Sequence, residues 1–301
     1  MQVHLGAPAT CTARDVALLR AVAYADVFDY PLTEAQLWRY LVGVAATPAE
    51  LCATLQAEHL NDLVHVCNGF VVLAGRANLV EQRQERAVRA LLLWKQARFY
   101  AARLAQLPFV RMVAVTGALA MDNVAAGADI DYLIVTTPNR LWLCQRLTVL
   151  LVRVARLAGH VICPNYLISE RALVMQDRSL YTAHELAQMV PLAGMPIYRR
   201  MRTLNGWVDQ WLPNAILPPQ RSTNSASSGR IGALVEALLP AGLGTWLEQS
   251  EMERTTRRLI GRHGPAAEAS FGPDWCKGHF AGHGGRILAA YQQRLVQLGI
   301  E

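Results

Sequence analysis

The first residues of the chain, MQVHLGAPATCTARD, lack a basic opening followed by a long apolar core, so no secretory leader is expected. Long uninterrupted apolar runs are missing too. The most apolar long segment, Leu141 to Leu157, is broken by Arg146, Arg153 and Arg156, which predicts a buried helix and not a membrane span. The six cysteines, Cys11, Cys52, Cys67, Cys144, Cys163 and Cys276, form no C-x-x-C pair. Most sit in apolar runs and read as reduced core residues of a cytoplasmic protein. No G-x-S-x-G occurs, which leaves Ser-His-Asp chemistry without an anchor. His184-Glu185 has no following histidine to make a metalloprotease motif. Charge is sparse, at 17% against 52% hydrophobic residues, which excludes a disordered chain and allows a sizeable core. There is no internal repeat.

What is present divides along the chain. After a tail at 1–11, residues 12–80 read as a winged helix-turn-helix. A helix runs from about Thr12 to Ala25, and Pro31 breaks the chain. Thr33–Gln36 and Thr47–Glu50 are capping boxes, the second with proline at the first helical position and a helix expected to His59. Asn68-Gly69 between two apolar runs predicts a hairpin. A connecting helix is expected over 81–107, stopped by Pro108. Residues 108–170 predict an α/β unit: a strand at 112–115, a glycine turn, a strand at 130–135, the Leu141–Leu157 helix and a strand at 160–169. A helical extension is expected over 171–212, a flexible Pro/Ser/Asn-rich loop over 213–230, and two or three helices over 231–301.

The chemistry concentrates in VRMVAVTGALAMDNVAAGADIDYLIVTT, residues 110–137. Asp129 and Asp131 are two apart at the mouth of a strand, so both side chains point the same way. Two carboxylates so close repel each other unless a cation lies between them. Mg²⁺ suits carboxylate oxygens shared with substrate phosphates. Upstream, Gly117 lacks a Cβ, so the Thr116-Gly117-Ala118 turn can approach a polyphosphate and direct N–H groups at it.

Gly117-Ala118, ten residues, then Asp-x-Asp resembles the G-S-x(10)-D-x-D signature of the DNA polymerase beta-like nucleotidyltransferase superfamily, especially its minimal members. The resemblance covers about residues 108–170. It implies a mixed α+β fold, with a small nucleotidyltransferase-type sheet flanked by the winged helix and C-terminal helices. It also implies Asp129 and Asp131 as catalytic ligands of Mg²⁺ or Mn²⁺, a phosphate turn at Thr116, Gly117 and Ala118, and ATP or another nucleoside triphosphate as substrate. Transfer would be to a hydroxyl on a small molecule, a protein or an RNA end. Two positions depart from the pattern. Ala118 replaces the turn serine, and the strand HVICPNYLIS offers Asn165 where a third carboxylate is usual, with Glu170 and Asp122 as other candidates.

Net charge is +6, yet residues 12–75 carry Arg14, Arg20 and Arg39 against seven acidic residues, and Pro48–His59 has no Lys or Arg. A DNA reader needs phosphate contacts, so a protein-docking or dimerising role fits this region better. Among the arginines elsewhere, Arg199 and Arg200, in the Tyr198–Arg202 cluster, are the expected triphosphate partners. His279 and His283, near Cys276, form a weaker metal candidate, and Lys277 with these histidines is an alternative phosphate contact.

Overall fold

The computed structural model describes residues 11–223, 229–263, 270–277 and 283–300. Its amino-terminal region is α1 (Ala13–Asp26), β1 (Leu32–Thr33), α2 (Glu34–Arg39), α3 (Pro48–Leu55), β2 (Val64–Cys67) and β3 (Phe70–Leu73). Both expected capping boxes form: Thr33 and Thr47 each accept from the backbone three residues on, and Gln36 and Glu50 reach back. A third, Thr12 with Asp15, opens α1. Asn68 and Gly69 both have positive φ, at 50° and 79°, and close the β2–β3 hairpin. The helix expected to reach His59 ends at Leu55 and gives way to a short 3₁₀ turn, Glu58–Leu60.

The long helix α4 (Leu79–Leu104) leads into β4 (Val110–Val115), the one-turn α5 (Gly117–Ala120), β5 (Ile130–Thr136), α6 (Leu141–Leu157) and β6 (Ile162–Ser169). The expected helix over 180–212 is interrupted. It is α7 (Leu180–Gln188), then a strand β7 (Val190–Ala193), then α8 (Met195–Leu204) and α9 (Val208–Trp211). Val190-Pro-Leu-Ala is too short to show a period of two, and its backbone is satisfied by pairing with β4. The carboxy-terminal helices are α10 (Arg230–Leu238), α11 (Ala241–His263) and α12 (His283–Gln297). Between the last two lie strands that the helical pattern hid, β8 (Ser270–Phe271) and β9 (Trp275–Lys277). No helix among the described residues is long and apolar enough to cross a membrane.

The result is a mixed α/β fold. The main sheet runs β7-β4-β5-β6-β9-β8, antiparallel except for the β5–β6 pair joined through α6. Both its faces are covered. Met112, Ala114, Leu133 and Val135 face a core shared with α1, α7, α8 and α12, while Val113, Val115, Tyr132 and Ile134 face α4 and α6. Two-sided burial explains why these strands read as continuous apolar runs. Asp131 shares the parity of Leu133 and Val135, so it opens toward the α1–α7–α12 side.

Residues 213–223 contain no helix or strand but are tied down. Thr223 donates from its backbone N–H to Pro191 O (2.9 Å) and from its hydroxyl to Leu192 O (2.8 Å), and Arg39 donates to Leu217 O (2.7 Å).

Candidate functional site

The site is assembled at one end of the sheet, where β4 finishes and β5 and β6 begin. Thr116 N–H donates to Asp131 O at 3.1 Å, which locks the end of β4 to the start of β5. Gly117 follows with φ 62°, and a Cβ there would lie 2.4 Å from Asp131 Oδ2. Only glycine fits this turn, because both its backbone conformation and its contact with the carboxylate exclude a side chain. Ala118, which the expected signature would make serine, is exposed beside it.

Asp129 and Asp131 both line a cavity of about 940 Å³, together with Thr116, Gly117, Ala118 and Asn165. Burial is the main reason that the Asp131 carboxyl is pushed up to about 7, with the Asp129 and Glu185 charges adding to it. Asn165 Nδ2 donates to Asp131 Oδ1 at 2.9 Å. Asn165 therefore braces Asp131 through its amide nitrogen, and Cys163 makes up a group of three potential metal donors with the two aspartates. Cys163 pairs in register with Asp131, and its sulfur lies within 4.8 Å of a carboxylate oxygen from each aspartate, which are equally close to each other. The strand gains one residue just beyond: Asp131 to Leu133 spans two steps on β5 but Cys163 to Tyr166 spans three on β6. This bulge brings both Cys163 and Asn165 to Asp131. Burial, then the two carboxylates, push the Cys163 thiol up to about 12.

The other expected carboxylates are used elsewhere. Asp122 accepts from Trp94 Nε1 (2.6 Å) and Arg221 Nη2 (3.0 Å). Glu170 lies between Arg111 (3.9 Å) and Arg200 (3.4 Å). Neither lines the cavity. Arg199 and Arg200 are exposed on α8, away from the cavity wall, so the structure does not bring them to the aspartates; Arg200 is engaged by Glu170. The arginines of α4 serve the scaffold. Buried Arg83 donates to Tyr30 Oη (2.9 Å) and Asp122 O (3.2 Å), and Arg86 donates to Asn123 Oδ1 (3.1 Å). They pin the loop after the glycine turn to the amino-terminal region.

The cavity also has residues that the sequence did not mark. Glu185, on α7, lines it, its carboxylate has no hydrogen-bond partner among the described residues, and it is pushed up to about 7 by burial, with Lys277 opposing. Its neighbour His184 is buried, stacks on Tyr24 at 3.9 Å, accepts at Nδ1 from Gln188 Nε2 (3.0 Å), and is held down to about 3 by burial. Tyr24, Phe28 and Tyr40 give the cavity an aromatic wall from the amino-terminal region. Lys277 and Arg171 are the cavity's Lys and Arg side chains among the described residues, and His283 also lines it. His279 lies outside the described residues, and Cys276 is buried in β9. Comparison with protein-family models, with curated proteins and with solved structures finds no match to this chain.

Proposed function

We propose that the chain is a metal-dependent nucleotidyltransferase of the DNA polymerase beta-like kind. It would bind a nucleoside triphosphate, with ATP as the first candidate, and move the nucleoside monophosphate to a hydroxyl. The oxygen of that hydroxyl bonds to the α-phosphorus, the bond from that phosphorus to the bridging oxygen breaks, and pyrophosphate leaves.

One observation carries the reading. The Thr116-Gly117-Ala118 turn is pressed against Asp131 at a cavity that both aspartates line, with no space at Gly117 for a side chain. Two carboxylates this close, one of them half-buried, repel unless a cation joins them, so the donor set fits a divalent ion. Asp129 and Asp131 would hold it, and it would supply neutralisation of phosphate charge. The chain's own groups do the rest. Asn165 keeps Asp131 in one orientation. Lys277 and Arg171 offer positive charge within the cavity. Glu185 is a carboxylate without a hydrogen-bond partner among the described residues, placed to receive the proton of an acceptor hydroxyl. The acidic amino-terminal region, with the winged-helix layout, closes one wall and suits a protein contact better than DNA.

Labelled ATP with Mg²⁺ or Mn²⁺ tests this. Pyrophosphate release that disappears in Asp129→Asn with Asp131→Asn is expected; no metal-dependent ATP affinity at all would overturn the proposal. A second reading is favoured by Ala118 and by the lack of a carboxylate on β6: a nucleotide-binding partner protein without transfer activity. Metal-dependent ATP affinity with no pyrophosphate release from any acceptor would select it.

A further inference from the structure

The third member of the donor cluster is sulfur. The structure assigns Cys163 as a ligand beside Asp129 and Asp131, and we infer that the site holds a sulfur-accepting divalent ion of the zinc or cobalt class more tightly than Mg²⁺. The inference rests on the metal-binding part of the reading above and adds what kind of ion that part selects.

Three features support it. First, the three donor atoms lie within 4.8 Å of one another. Oxygen and sulfur ligands of one tetrahedral zinc sit roughly 3.3–3.8 Å apart, given bond lengths of about 2.0–2.3 Å, so modest side-chain rotation closes the cluster on an ion. Second, the sulfur is placed by backbone register. Cys163 pairs with Asp131 across the parallel β5–β6 ladder, and the adjacent bulge fixes which residue of β6 stands there. Third, Asn165 Nδ2 donates to Asp131 Oδ1 and so fixes that carboxylate beside the sulfur. Mg²⁺ demands oxygen in octahedral array and keeps its waters, whereas zinc takes carboxylate and thiolate together. On binding, the S–H bond breaks, the sulfur–metal bond forms, and the proton leaves to solvent.

The test uses the full chain stripped with EDTA and titrated with Co²⁺. Sulfur ligation gives a near-ultraviolet sulfur-to-cobalt charge-transfer band. The band should persist when Cys11, Cys52 and Cys67, the thiols that are partly or fully exposed elsewhere, are all replaced by serine. It should vanish in Cys163→Ser. That variant should also bind Zn²⁺ more weakly by roughly tenfold or more, since losing even an outer partner of a ligand costs that much, with Mg²⁺ affinity within about twofold of the parent. A circular-dichroism melt confirms that the variant is folded, and Cys163→Ala provides a second variant if the serine form is not. Binding of Co²⁺ without the band, or a band retained in Cys163→Ser, overturns sulfur ligation. A band without metal-dependent ATP affinity upholds it and overturns the nucleotide reading; ATP affinity that needs a metal, with no band, does the reverse.

Discussion

Replacing Asp131 by asparagine should make the metal-free protein more stable while removing its metal site. The side chain is half-buried, accepts from Asn165, and faces Asp129 and Glu185. Its carboxyl moves from an ordinary 3.8 to about 7 in the fold. At 1.36 kcal/mol per pH unit that corresponds to roughly 4 kcal/mol of penalty on the charged form, and water reaching the cavity reduces it to about 2 kcal/mol. The sign follows from proton counts. Between pH 4 and 7 the folded chain binds more protons at this residue than the unfolded chain, so its contribution to stability falls as pH rises and is lowest above 7. Asparagine keeps the acceptor oxygen for Asn165 and carries no charge. In EDTA at pH 8, Asp131→Asn should melt roughly 4–6 °C higher than the parent, at about 2–3 °C per kcal/mol for a chain of this size. At pH 5 the gain should be less than half as large. With saturating divalent ion the order should reverse, because only the parent gains binding free energy. Scanning calorimetry at the two pH values decides the matter. A variant that melts lower at pH 8, or gains equally at both, would refute the buried-charge reasoning.

Three other substitutions probe neighbouring parts. Gly117→Ala puts a Cβ at 2.4 Å from Asp131 Oδ2 on a residue with φ 62°; a loss of roughly 1–3 kcal/mol in urea unfolding should accompany loss of metal-dependent nucleotide affinity. Asp122→Ala strands the indole N–H of buried Trp94, so it should lower stability by roughly 1–3 kcal/mol and leave ATP affinity alone; lost affinity at unchanged stability would restore Asp122 as a ligand. Glu185→Gln should leave the calorimetric Kd for ATP unchanged while slowing pyrophosphate release by roughly a hundredfold or more, the scale of a lost general base; an unchanged rate would remove Glu185 from that role.

The elements that the sequence announced are those whose signals are local. Capping boxes at Thr33 and Thr47, the Asn68-Gly69 turn and the Leu141–Leu157 helix all appear where short-range chemistry places them. The elements it hid are made by partners far away in the chain. Val190–Ala193 is a strand because β4 lies beside it, and Trp275–Lys277 because β6 does. Neither has enough residues to show alternation, so a helical pattern on each side absorbed both. Arg83 is a similar case: it reads as one of many helix-surface arginines, and only tertiary contact with Tyr30 and Asp122 buries it.

The candidate site divides along the same line. Asp129, Asp131 and Gly117 were legible because they lie within one strand–turn–strand segment, where spacing alone sets geometry. The rest of the site depends on register. Asn165 and Cys163 are two apart, and sequence offers no way to tell which one faces Asp131 until the β5–β6 ladder and its bulge are known. With the ladder known, both do: the amide nitrogen as a hydrogen-bonding brace and the sulfur within 4.8 Å of a carboxylate oxygen. The β6 strand brings a soft sulfur atom to the pair, and burial and the neighbouring acidic charges disfavour the charged form of the half-buried Asp131 beside it. That combination is unfavourable in an empty site and favourable around a sulfur-accepting ion. The position of Cys163 therefore bears on metal choice in a way that its place in an apolar run, read alone, concealed.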